Sequence, residues 1–216
     1  PRVACGLIMD GNKPTSVADI AAYPGYTGST KVAGSVFLPV VTGAQQQVNY
    51  DLSGLKANSS AGLHIHTGTT CADAAKVGGH YWLPTSNPDP WNTTYSADMY
   101  GLAQGSFTLA SGLTMKQSVG HAVVVHEGGS PRVGCGIIAA DAQMTLYPGY
   151  AGALNVGGSV QVAPTADGSA LQVTYALAGL EASQVGQVHI HAGTDCPTSG
   201  GHYWNSKNGT VVDPWT

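Results

Sequence analysis

The sequence predicts an all-β fold, a sandwich or closed antiparallel barrel that is repeated in tandem. Apolar residues fall in short alternating runs bounded by Gly, Pro, Ser and Asn, and no stretch sustains a helical period. The chain carries 30 glycines and only 9% charged residues, a composition suited to strands and tight turns. Blocks of sequence also recur once at an interval of about 122 to 130 residues, the size of a domain rather than of a solenoid unit.

Val32-Ala33-Gly34-Ser35-Val36-Phe37-Leu38 and Gln47-Val48-Asn49-Tyr50-Asp51-Leu52 alternate as strands with one buried face. Tyr23-Pro24-Gly25-Tyr26 and its copy Tyr147-Pro148-Gly149-Tyr150 predict turns packed on the barrel. His64-Ile65-His66 predicts a strand that puts both imidazoles on one face, within reach of one metal ion. Ala122-Val123-Val124-Val125-His126 predicts a strand buried on both faces. His121 and His126 lie five apart and face opposite sides, so His121 reads as a hydrogen-bonded structural residue.

The repeat defines the domains. H-x-H, a Cys five residues on and then G-G-H-Y-W occurs as His64, His66, Cys71 and His80, and again as His189, His191, Cys196 and His202. Asp89-Pro90-Trp91 returns as Asp213-Pro214-Trp215, and Arg2-Val3-Ala4-Cys5-Gly6 matches Arg132-Val133-Gly134-Cys135-Gly136. These matches predict three parts: residues 1 to 9 as the last strand of one repeat, 10 to 138 as a complete domain, and 139 to 216 as the front of a further one.

Composition excludes some partners. The net charge of −4 with scattered Lys and Arg argues against nucleic acid. No run is apolar for the eighteen or so residues that a membrane-spanning helix needs. Sequons at Asn58, Asn92 and Asn208 predict a glycosylated, secreted chain. Cys71 and Cys135 fall in one repeat and would form a disulfide, worth about 4 kcal/mol by loop entropy and stable only in an oxidising compartment. Cys5 and Cys196 are expected to be halves of bridges whose other halves lie outside the chain. Zinc ligation by the cysteines lacks any C-x-x-C pair.

Five ordered blocks carry a family resemblance: His64-Ile65-His66, Cys71, Gly79-His80-Tyr81, Gly120 to Glu127, and Arg132 to Gly136. Together they resemble the copper/zinc superoxide dismutases over nearly the whole complete repeat. The resemblance implies a Greek-key β-barrel of immunoglobulin-like sandwich type, and copper held by His64, His66, His80 and His126, with His80 in the bridging position. It also implies a Cys71–Cys135 disulfide and an arginine, Arg132, that guides the superoxide anion. Copper would cycle between two oxidation states, turning superoxide into dioxygen and hydrogen peroxide.

Two departures resemble the copper-only branch of that family and its multi-domain repeat proteins. No histidine lies between His80 and Asp98, where zinc would need nitrogen ligands, although Asp98 can stand at the zinc aspartate's place. Only Glu127-Gly128-Gly129-Ser130-Pro131 joins His126 to Arg132, in place of a long charged loop. Tyr95 occupies the position of a glutamate that orients the bridging histidine in that branch, so Asp98 or a backbone carbonyl is expected to hold His80 instead. The alternative reading is a copper storage, buffering or transport protein that uses the same histidines with little turnover. A secreted structural protein with decayed sites is disfavoured by the retention of His189, His191 and His202. Those three lack a fourth ligand, which is expected from a missing strand. Exchange between molecules is also expected, with residues 1–9 of one chain on 139–216 of another, bringing Cys5 to Cys196.

Overall fold

The computed structural model describes residues 2–8, 15–39, 45–83, 88–129, 131–165, 169–204 and 212–215. Among these, twelve strands run in chain order: β1 (Ala4–Cys5), β2 (Thr15–Ala22), β3 (Ala33–Pro39), β4 (Gln46–Ser53), β5 (Ser60–His66), β6 (Thr94–Ser96), β7 (Ala103–Leu109), β8 (Ala122–His126), β9 (Arg132–Ile137), β10 (Ala140–Leu146), β11 (Gly157–Pro164) and β12 (Leu171–Ala178). The α-helix among them is one turn, α1 (Met115–Ser118), started by a capping box in which Thr114 and Gln117 satisfy each other's backbone N–H.

Eight strands form a nearly closed antiparallel barrel in the order β6-β5-β8-β9-β2-β3-β4-β7. The neighbours β4 and β7, β5 and β8, and β2 and β9 are far apart in sequence, which gives the Greek-key crossing. Edge strands β6 and β7 are joined by the turn at 97–102, where Asp98 N–H donates to Leu102 O and its Oδ1 accepts from Tyr100 and Leu102 N–H. The core is filled by the inward positions of alternating strands: Val36, Leu38, Val48, Leu52, Leu63 and Ile65 are all at most 2% exposed. Burial of this apolar surface drives the fold. β8 lies between β5 and β9, and its four apolar residues are buried, as a continuous apolar run requires.

The chain divides into two compact units, residues 1–7, 142–160 and 175–216 in one, and 8–141 with 161–174 in the other. A four-stranded sheet has the order β1-β10-β11-β12. In it β1 pairs with β10 as Ala4 with Leu146 and Cys5 with Thr145. The barrel pairs β9 with β2 in the matching register, Gly134 with Ala22 and Cys135 with Ala21.

That register corrects the expectation for two cysteines. Cys5 and Cys196 were expected to find partners outside the chain; their sulfurs bond to each other within it. The reason is local: two residues of β1 on β10 carry Cys5 to the position that Cys135 holds on β2. Cys135 is bonded to Cys71, and there are no free cysteines among the described residues.

Candidate metal centre

Strand β5 builds the first part of the site. Its period of two sends Leu63 and Ile65 into the core and leaves His64 and His66 together on the opposite face. A Cβ at Gly62 would collide with the His64 imidazole, so the bare glycine makes the room this ring occupies. His80 joins through an isolated antiparallel bridge to His66. The His64 and His80 rings stand 4.3 Å apart and the His66 and His80 rings 5.2 Å apart. One nitrogen from each of the three lies within 4.8 Å of the others, which is metal-binding spacing.

His126 arrives from β8 at a register irregularity between Val125 and His126, where it pairs with Arg132. Its ring lies 5.0 Å from that of His64 and 5.9 Å from that of His66. Tyr95, fully buried, donates its phenol proton to the His126 carbonyl at 2.7 Å. The residue at the expected glutamate's place thus anchors the backbone of His126, not the ring of His80.

Carbonyl acceptors set the imidazole tautomers. A carbonyl can only accept, so His64 Nε2–H donates to Thr93 O at 3.2 Å and His66 Nδ1–H donates to Gly78 O at 3.0 Å. The opposite nitrogens, His64 Nδ1 and His66 Nε2, are buried without a hydrogen-bond partner. Burial, helped by the neighbouring histidines, pushes the His64 pKa down to about 3. Burial also lowers that of His66 to about 4, against the opposing effect of its Gly78 hydrogen bond and with a contribution from nearby Arg132. Both rings are therefore neutral at physiological pH and present lone pairs. Such orphaned nitrogens in a convergent imidazole set fit a borderline metal ion of the copper or zinc type.

The partner of His80 is one that sequence reasoning missed. Its Nδ1 hydrogen-bonds Asp89 Oδ2 at 2.7 Å, whereas Asp98 serves the β6–β7 turn. Asp89 Oδ1 accepts from Trp91 N–H, and Trp91 Nε1–H donates to Tyr81 O, so the Asp-Pro-Trp turn closes against the histidine's own loop. The signal was available: this tripeptide recurs behind each G-G-H-Y-W.

Arg132 is half-buried and doubly held. Its guanidinium donates to Tyr23 Oη at 3.0 Å and to Gly78 O at 2.7 Å. Tyr23 in turn donates to Ala74 O. Gly78 has φ +73°, a conformation L side chains rarely adopt, and this turn aims its carbonyl at both Arg132 and His66. The Tyr-Pro-Gly-Tyr segment is a turn, closed by Tyr26 N–H to Tyr23 O, and its first tyrosine also fixes the arginine. Glu127 accepts from Tyr26 and Thr30 hydroxyls. His121 stacks on Tyr81 at 3.9 Å and bonds Thr67 O, away from the metal group.

The other unit repeats this geometry. His189, His191 and His202 form a second group with ligand nitrogens within 4.8 Å. His202 lies 4.4 Å from His189 and 5.1 Å from His191. His202 Nδ1 bonds Asp213 Oδ2 at 2.6 Å, His191 Nδ1 bonds Gly200 O, and Arg2 holds Gly200 O, Ser199 and Tyr147. Of the sequons, Asn58 and Asn92 are exposed, and Asn208 lies outside the described residues.

No protein-family model matches this chain, and no curated protein matches it. Among solved structures it is similar to the Cu/Zn superoxide dismutase from Brucella abortus, at 18% identity and a TM-score of 0.47 over 57% of this chain and 99% of that one. It is also similar to the clock protein EA4, at 15% identity and a TM-score of 0.45 over 57% of this chain and 92% of that one. Both likenesses concern the fold.

Proposed function

We propose that the chain is an extracellular copper protein that disproportionates superoxide to dioxygen and hydrogen peroxide at a zinc-free centre of His64, His66, His80 and His126. The observation that carries this reading is the convergence of three imidazoles within 4.8 Å, two of them with buried, unpartnered nitrogens. Bound copper would supply a one-electron couple that imidazole ligation accommodates in both oxidation states.

The chain's own residues do the rest. Neutral His64 and His66 offer Nδ1 and Nε2, and His80 offers the nitrogen that Asp89 leaves open. Arg132 presents a planar cationic fork beside His66, suited to drawing in a small oxygen anion. In a zinc-free centre, protons for the product come from solvent. Two disulfides favour an oxidising compartment, and the exposed sequons Asn58 and Asn92 favour secretion. The His189, His191 and His202 group is a second copper centre with three nitrogens.

Superoxide turnover per bound copper tests the reading, after loading with copper and zinc together. We expect copper without zinc and fast turnover. Arg132→Ala should keep its copper while turnover falls about tenfold or more. Negligible turnover at full loading would assign the centre to copper storage or transport, and zinc bound at His80 would overturn the zinc-free assignment.

A further inference from the structure

His80 differs from its neighbours in what holds it. His64 and His66 are each oriented by a neutral backbone carbonyl, at Thr93 and Gly78. His80 is oriented by a carboxylate, Asp89, at 2.7 Å. The other unit reproduces the distinction: His191 bonds the Gly200 carbonyl, and His202 bonds the Asp213 carboxylate at 2.6 Å. In both units the second carboxylate oxygen accepts from the backbone N–H of the tryptophan two residues on, at 2.9 Å, and the indole N–H closes on the residue after the histidine. The two loops differ in length, since Asp89 follows His80 by nine residues and Asp213 follows His202 by eleven. Retention of the bond across that difference argues that the carboxylate–imidazole contact, rather than the loop, is what the Asp-Pro-Trp turn delivers.

We propose that Asp89, with Asp213 as its counterpart, is the positioning residue of the metal centre. It fixes the proton of His80 on Nδ1, leaves Nε2 as the ligand atom, and makes that imidazole more strongly donating than those of His64 and His66. A carboxylate oxygen serves as the acceptor and an imidazole N–H as the donor, so the hydrogen in this bond belongs to Nδ1. Negative charge behind an imidazole raises its basicity as a ligand, which a neutral carbonyl does far less. The carboxylate thus occupies the outer face of His80, the face that a second metal ion would need if His80 were to bridge. This inference rests on the metal-binding reading above.

Asp89→Asn separates charge and proton placement from shape. The asparagine is isosteric and its Oδ1 can still accept from Trp91 N–H, so the turn is kept. Its amide then points a donor at His80 Nδ1, which moves the imidazole proton to Nε2 and blocks the ligand atom. Nitrogen-15 NMR of the metal-free protein should show His80 protonated on Nδ1 in the wild type and on Nε2 in Asp89→Asn. Chelator competition should show copper affinity reduced about 10- to 100-fold, with a changed cupric EPR spectrum. Asp89→Glu should recover part of the affinity, and Asp213→Asn should move only the His202 signals.

Asp89→Asn with wild-type tautomer, affinity and EPR spectrum would overturn the proposal while leaving the copper centre standing. A wild type that binds no copper would instead overturn the metal reading, and the tautomer measurement, made without metal, would still decide what Asp89 does to His80. A loss of affinity with an unchanged tautomer would reduce Asp89 to a loop anchor.

Discussion

Burial holds His64 and His66 as neutral imidazoles, the state that a metal ligand requires. Their folded pKa values, about 3 and about 4, lie below the ordinary 6.5. As pH falls, the unfolded chain therefore takes up these protons first. The contribution of each residue to metal-free stability is complete above about pH 6.5 and is lost progressively as pH falls, toward about pH 4 for His66 and about pH 3 for His64. Urea titrations of the metal-free protein should show stability falling across that window, and His64→Asn should flatten the fall; a pH-independent midpoint would contradict the assigned burial. That His64 and His66 share one face was legible in the sequence because H-x-H has the strand period. Their opposite tautomers were not, because Thr93 and Gly78 are distant loop residues. The bond between Arg132 and Tyr23 escaped notice for the same reason, since the two lie 109 residues apart.

Elements were read more fully than contacts. Alternation located β3, β4 and β5, and the run of valines located β8, because periodicity and burial are local consequences of sequence. The partner of His80 was sought at Asp98 or a backbone carbonyl, and Asp89 was passed over because it sits in a stretch with no period to place it. Within β5, Gly62 has a definite use. Gly62→Ala keeps an allowed strand conformation yet puts a methyl group into the His64 ring. We expect an intact barrel by circular dichroism and copper affinity lowered by tenfold or more, about 1.4 kcal/mol. Wild-type affinity in this variant would mean that His64 can bind from another rotamer.

For the molecule as a whole, internal repetition was the strongest signal, and it was used too literally for Cys5 and Cys196. Counting repeats placed their partners elsewhere, but chain connectivity does not limit which strand completes a sheet, and β1 reaches β10 within one chain. Non-reducing gels should show monomer with no free thiol; intermolecular disulfides would contradict this pairing. Cys5→Ser should cost the unit holding residues 142–160 and 175–216 about 5 kcal/mol by loop entropy, read as an earlier unfolding transition.

The carbonyl of Gly78 works as a latch with two bolts. It takes one hydrogen from the guanidinium of Arg132 and another from the ring of His66. Turning that single peptide plane would release both at once, so the Arg132 guanidinium and the His66 ring share one hinge. A residue other than glycine there would have to unlock both to relieve its own backbone.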